Sequence, residues 1–306
     1  MKHTLNSIIS PIRRSSVIAF TLSLALSACN KSGDSTQETQ KKTTITNIGS
    51  DTMVNLAIAW AEAYGKVDST VSVEVNGGGS GQGVAALIQG TCDIANCSRT
   101  FEEKEIAELK QKRNADAKEH MVGYDALSIF VHKDNPINEI SLQQLGDIYR
   151  ADGKLTKWSD LGVTLPGGKG DEIIRVSRQN NSGTYHYFKE AIIGKASEYK
   201  LGTLDMNGSK DVVELIAKTP NAIGYSGMGY ATADVKQLTV SKKTGEPGVV
   251  PSIATTLDKT YPIARPLFMY TAGEAAPDVK KYLDWIISDA GQEIVKQTGY
   301  VPLPKK

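Results

Sequence analysis

Short apolar strands alternate with amphipathic helices along most of this chain, and three of the strand ends run into a turn of Gly, Ser and Thr that opens a helix. That alternation is the pattern of a mostly parallel sheet covered on both faces, which restricts the chain to an α/β architecture. The strand candidates are Thr44 to Ile48, Ser72 to Asn76, Asp93 to Asn96, Ala126 to His132, Ile173 to Ser177 and Ala222 to Tyr225. Met53, Leu56, Ala57, Trp60 and Tyr64 recur at helical spacing and make one apolar stripe, the core face of a first helix. Further helices are expected around Val84, Leu87 and Ile88, from Phe101 to Arg113, from Ser141 to Tyr149, and from Pro277 to Thr298. Proline at the start of the last of these and Gly299 past its end frame one continuous helix that docks back on the first lobe. The stretch from Leu155 past Pro166-Gly167-Gly168 has no periodicity and reads as a loop.

The three junctions are Gly49-Ser50-Asp51-Thr52, the run from Gly77 to Gly83 that contains Ser80 and Gly81, and Arg178 to Thr184, which contains Ser182 and Gly183. A helix N-terminus leaves backbone N–H groups unpaired and carries partial positive charge. Gly lets a ligand approach that backbone, and Ser or Thr adds a hydroxyl donor. One such turn alone is explained by ordinary N-capping. Three in one chain, two of them glycine-rich, point instead to a tetrahedral oxyanion held by several helix starts. No Gly-Lys-Ser or Gly-Lys-Thr follows the Gly77 to Gly83 run, and the dinucleotide spacing is missing, so it reads as a small-anion loop. Arg178 stands four residues before Ser182, where its planar fork would reach an anion at the following helix start. Arg99, after another strand end, reads either as a ligand contact or as half of an ion pair bracing the site; Ser98 beside it is the better donor.

The N-terminus addresses compartment. Lys2, Arg13 and Arg14 precede an apolar stretch, Val17 to Leu26, that is too brief to span a bilayer and reads as a secretion signal over residues 1–28. Leu26-Ser27-Ala28-Cys29 resembles a bacterial lipobox, which would make a lipidated Cys29 the mature N-terminus. Residues 29–42 are polar, without apolar periodicity, and read as a flexible tether. The rest is long enough for one core to divide into two lobes. Lys plus Arg (35) balance Asp plus Glu (34), so no basic field recruits nucleic acid. With Asp93 to Asn96 extended, Cys92 and Cys97 would lie about 16 Å apart, beyond the reach of a disulfide, and two reduced, buried thiols are expected. His3, His120, His132 and His186 show no metal-ligand spacing, and neither a metal nor a cofactor is expected.

Taken in order, Gly-Ser-Asp-Thr-Met at 49 to 53, Gly-Gly-Ser-Gly-Gln-Gly at 78 to 83, Asp-Ile-Ala-Asn-Cys-Ser-Arg at 93 to 99, Arg178 with Ser182-Gly183-Thr184, and Ala-Ile-Gly-Tyr at 222 to 225 resemble the periplasmic phosphate-binding subunit of the Pst phosphate importer. The resemblance runs over nearly the whole mature chain. It implies a class II solute-binding protein of two lobes, each a mixed sheet flanked by helices, with the ligand in the cleft between them. The lobes would be residues 43–126 with 263–306, and residues 127–262, hinged on strands around Ala126 and near Pro262 to Phe268.

The resemblance further implies that Ser50 with Asp51 and Thr52, Ser80 with Gly81, Ser98, and Arg178 with Ser182, Gly183 and Thr184 hold inorganic phosphate for delivery to an ABC permease and its ATPase. The protein would then be a monomer, tethered by lipid in the bacterial periplasm or on the cell surface. One departure bears on selectivity. Some members carry, where Cys97-Ser98 stands, an aspartate that accepts the proton of phosphate and repels sulfate. Asp51 and Asp125 are the remaining candidates for that acceptor, and Asp125 is the one expected, either in that role, as a structural partner of Arg99, or both. The same fold would equally hold another oxyanion such as sulfate, molybdate or a phosphonate, or serve a sensor or adhesin. A hydrolase built on Ser182 and His186, four residues apart, lacks a third residue to orient the histidine, and no enzyme is expected.

Overall fold

The structure is a computed structural model and describes residues 42–305; the expected signal, lipobox and most of the tether lie outside them. In chain order the elements are β1 (Thr43–Gly49), α1 (Val54–Val67), β2 (Val71–Asn76), α2 (Ser80–Gln89), β3 (Ile94–Cys97), α3 (Glu103–Arg113), β4 (Ala117–His132), β5 (Glu139–Ser141), α4 (Leu142–Tyr149), β6 (Ile174–Arg178), α5 (Gly183–Phe188), β7 (Leu204–Met206), α6 (Ser209–Lys218), β8 (Ala222–Gly227), β9 (Val235–Gln237), β10 (Thr239–Ser241), α7 (Ile253–Leu257), β11 (Ala264–Ala272), α8 (Pro277–Ile286) and α9 (Asp289–Gln297).

Nine strands form one mixed sheet along the path β2-β1-β3-β11-β4-β8-β6-β7, with β9 added on β4. β1 runs parallel to β2 and β3, and β6 runs parallel to β7 and β8. Between these groups lies β4, sixteen residues long. From Ala117 to Ala126 it pairs antiparallel with β11, and from Leu127 to Val131 with β8. The sequence pattern placed the start of this strand at Ala126. Its first half opens on a consecutive polar run, Lys118-Glu119-His120, and is interrupted by Gly123, and pairing with β11 rather than local propensity makes it a strand.

Because successive residues of a strand point to opposite faces, each half of the sheet has two cores. On the β1–β3–β11 half, Ile94, Leu267 and Met269 pack with Met53, Leu56, Trp60 and Tyr64 of the expected stripe, while Ala95, Phe268 and Tyr270 pack with Val84, Leu87 and Leu109 on the other face. On the β8 half, Leu127, Ile129 and Tyr225 pack with Tyr149, Trp158 and Phe188, and Phe130 and Ala222 pack opposite with Val212 and Ile216.

The expected C-terminal helix is two helices. α8 ends at Ile286, and Ser288 caps α9 by accepting from the Gly291 amide. The break lets the chain turn over α1, where Trp60 Nε1 donates to the Gly291 carbonyl at 2.8 Å. Cys92 and Cys97 are free and buried, as expected, and burial raises both thiol pKa values, that of Cys92 to about 12.

Candidate anion-binding site

Four strand ends deliver hydroxyls to one point. β1 leads into Ser50 and Thr52, the turn after β2 opens α2 at Ser80, β3 ends just before Ser98, and β6 leads to Thr184 in the first turn of α5. Each of these five side chains is at most 2% exposed. Ser50 Oγ donates to Ser98 Oγ at 2.9 Å, Ser80 Oγ lies 3.4 Å from Ser98 Oγ, and the hydroxyls of Thr52 and Thr184 are 2.7 Å apart. The hydroxyls therefore satisfy one another. Each can rotate to donate elsewhere, because a hydroxyl is both donor and acceptor.

Glycine makes the convergence possible. Gly79, the residue before α2, has φ 92°, a conformation open to glycine, and a Cβ there would meet the Asn181 carbonyl oxygen at 2.7 Å. A Cβ on Gly183 would fall on the hydroxyls of Ser80 and Ser98. The two glycine-rich turns consequently touch: the Gly81 amide donates to the Asn181 carbonyl at 3.0 Å, and Asn181 Nδ2 donates to the Gly78 carbonyl at 2.8 Å.

The expectation that the turns expose unpaired amides holds less well than the hydroxyl pattern. Besides Gly81, the Ser50 amide donates to the Asn96 carbonyl, the Ser98 amide to Ser80 Oγ, and the Thr184 amide to Ser182 Oγ. Ser182 is thus the N-cap of α5, with its side chain turned to its own helix.

Two buried arginines flank the hydroxyls. Arg178 donates to Asp51 Oδ2 at 2.8 Å, to the Asn207 carbonyl at 2.8 Å and to Ser209 Oγ at 3.0 Å, and Asp51 Oδ1 accepts the Gly78 amide at 2.8 Å. Arg265 had no place in the sequence reading. It is 1% exposed, pairs with Asp125 Oδ2 at 3.0 Å, and donates to Thr184 Oγ1 at 2.9 Å, Thr52 Oγ1 at 3.2 Å and the Ser98 carbonyl at 3.2 Å. Asp125 and Arg265 stand directly opposite in the β4–β11 ladder. Burial raises the carboxyl pKa of Asp125, and Arg265 together with a weaker pull from the Met228 amide opposes that rise. No donor meets hydrogen-bond geometry at its Oδ1.

One expectation is corrected: the partner of Asp125 is Arg265, not Arg99. Arg99 instead makes a two-pronged pair with Glu105, both contacts at 2.7 Å, and so braces the start of α3. Of its two open readings the ion pair is the one observed.

A cleft of about 790 Å³ adjoins the hydroxyl cluster, and Ser98 and Arg265 line it together with Phe101, Tyr187, His186 and Lys189. His186 Nε2 lies 2.7 Å from the Asn180 carbonyl, an atom that only accepts, so Nε2 carries the proton. The Ser182 and His186 side chains thus have separate partners and do not form a nucleophile–base pair. Among the described residues no cluster of metal-ligating side chains occurs.

A PBP superfamily domain matches residues 34–290 of this chain. The phosphate-binding protein PstS of Pseudomonas aeruginosa is 35% identical over 274 residues, which cover 86% of this chain and 84% of that protein. PstS of Bacillus subtilis is 31% identical over 286 residues, 90% of this chain and 89% of that protein. Among solved structures, a putative phosphate ABC transporter substrate-binding protein with bound phosphate from Clostridium perfringens aligns with TM-score 0.76 and 29% identity, over 85% of this chain and all of that one.

Proposed function

This chain belongs to the PBP superfamily, and from that premise we propose that it binds inorganic phosphate and delivers it to an ABC importer. One observation carries the reading: five buried hydroxyls from four separate turns converge beside two arginines, a cluster rich in hydrogen-bond donors such as a small tetrahedral anion needs. A dry site of this kind binds an anion through charge-assisted hydrogen bonds, each worth about 1.5–3 kcal/mol.

The ligand in this proposal is held by Ser50, Thr52, Ser80, Ser98, Gly183 and Thr184, with Arg178 supplying charge and Asp51 fixing Arg178. Ser182 and Gly81 shape the turns, and Arg99 stiffens the rim through Glu105. Residues 43–126 with 263–306 would form one lobe and residues 127–262 the other, hinged where β4 and β11 run between them. A lipid on Cys29 would keep the protein at a bacterial membrane, within reach of the permease.

Equilibrium dialysis of the purified protein with labelled phosphate tests the reading. Saturable binding of one phosphate per chain, weakened about tenfold or more in Ser98→Ala, is expected from the loss of one charge-assisted hydrogen bond. Absence of saturable phosphate binding, with binding of sulfate or molybdate instead, would move the ligand to another oxyanion.

A further inference from the structure

We propose that Arg265 is a second cation of the ligand site and that Asp125 is its positioning residue, so that this pair sets how well a fully ionised anion is accepted. The inference rests on the phosphate-binding reading and adds to it a residue on which the turn motifs are silent.

Placement comes first. Arg265 Nη2 lies within hydrogen-bond distance of Thr52 Oγ1 and Thr184 Oγ1, two hydroxyls that reach the cluster from different helix starts. Its Nη1 holds the carbonyl of Ser98, whose own hydroxyl belongs to the cluster. The guanidinium is therefore in direct contact with three of the residues proposed to hold phosphate. It also faces the 790 Å³ cleft, and its Cζ lies 5.3 Å from the centre of the Tyr187 ring, a second constraint on its plane.

The count of donors follows. Of five N–H bonds, Nε goes to Asp125 and one on Nη1 goes to Ser98, while the two on Nη2 are shared among Asp125, Thr52 and Thr184. The second N–H of Nη1 has no partner among these contacts. When the threonine hydroxyls turn toward an anion, the Nη2 hydrogens are released as well, so the group can donate without abandoning Asp125.

Charge decides the consequence. Arg265 is paired with Asp125 and Arg178 with Asp51, so the walls carry no net charge from these four groups. A dianion entering such a site meets two cations already shared with carboxylates, and each carboxylate lowers the attraction it feels. Asp125 thereby acts through charge from behind Arg265: it disfavours a dianion such as sulfate relative to singly charged dihydrogen phosphate.

The test is competitive calorimetry with phosphate and sulfate on four proteins: wild type, Asp125→Asn, Arg265→Lys, and the double variant Asp125→Asn with Arg265→Gln. The double variant exchanges the ion pair for a neutral hydrogen-bonded pair and leaves no buried charge alone. It is expected to lose phosphate affinity about 100-fold, and Arg265→Lys to lose less. In Asp125→Asn the sulfate-to-phosphate affinity ratio is expected to rise about tenfold, a change that a merely structural pair would not produce. Thermal unfolding of each variant, with and without ligand, separates lost binding from lost folding, and should the double variant fail to fold, the selectivity ratios of Arg265→Lys and Asp125→Asn decide. Phosphate binding within threefold of wild type in the folded double variant, or unchanged ratios in all variants, would overturn the inference while leaving the phosphate reading intact. If wild type itself binds no phosphate, the reading falls and the inference with it.

Discussion

A bound phosphate would rest against the backbone of Gly183, where any side chain would collide with the hydroxyls of Ser80 and Ser98. Gly183→Ala is accordingly expected to weaken phosphate binding about 100-fold, the equivalent of two disturbed hydrogen bonds at about 1.5 kcal/mol each. Stability should fall as well, by about 1–3 kcal/mol, because the added methyl is forced against the buried hydroxyls of Ser80 and Ser98 and the better helix propensity of alanine offsets only part of that. Titration and thermal unfolding of the variant check the two halves of this statement. The contrast between Gly183 and Arg265 shows what a sequence reveals at this scale. Gly, Ser and Thr next to a strand end announce a turn by local chemistry alone, so the three junctions were legible. Ala264-Arg265-Pro266 carries no such signal, since its role depends on β11 lying between β3 and β4, a fact of tertiary pairing. The same missing register leaves Asp125, from sequence, open between a ligand contact and a pair with Arg99, although the ladder sets it opposite Arg265.

At the level of elements, the C-terminal pair α8–α9 holds β1 and α1 in place, and Trp60 is the point of attachment. Trp60→Phe keeps the packing against Tyr282 and Ile286 but strips the donor from the buried Gly291 carbonyl. A loss of about 1–3 kcal/mol in unfolding free energy is expected, measured by denaturant titration at unchanged slope. The division into two helices escaped the sequence reading because apolar residues continue at helical spacing through Ile286, Ile294 and Val295. Ser288 followed by Asp289 was the available mark of a new N-terminus, and it was outweighed by the frame of Pro277 and Gly299. Strands of three residues, β5, β7, β9 and β10, were invisible for a related reason: so short a run owes its conformation to its neighbours.

For the molecule as a whole, the contacts that join the turns after β1 and β2 to the end of β6 and the segment after it would act as a latch between the proposed lobes. Asp51 with Arg178, Thr52 with Thr184, and Gly78 and Gly81 with Asn181 all cross between them. With the lobes as proposed, these contacts form on closure and break on opening. Saturating phosphate is then expected to reduce the radius of gyration in small-angle scattering, and Asp51→Asn to speed phosphate release about tenfold with less effect on its capture. An unchanged radius would remove the hinge from the account. The side chain of Arg178 is fully buried and that of Asp51 is 15% exposed, so salt should screen this pair only in part.

Where the phosphate sits is the central question, and the most direct measurement is a crystal structure of the protein grown with phosphate. One tetrahedral anion is expected, with oxygens within about 3.2 Å of the hydroxyls of Ser50, Thr52, Ser80, Ser98 and Thr184 and of the Arg265 guanidinium. Phosphate found only in the outer cleft beside His186 and Lys189, with the hydroxyls still bonded to one another, would contradict that placement.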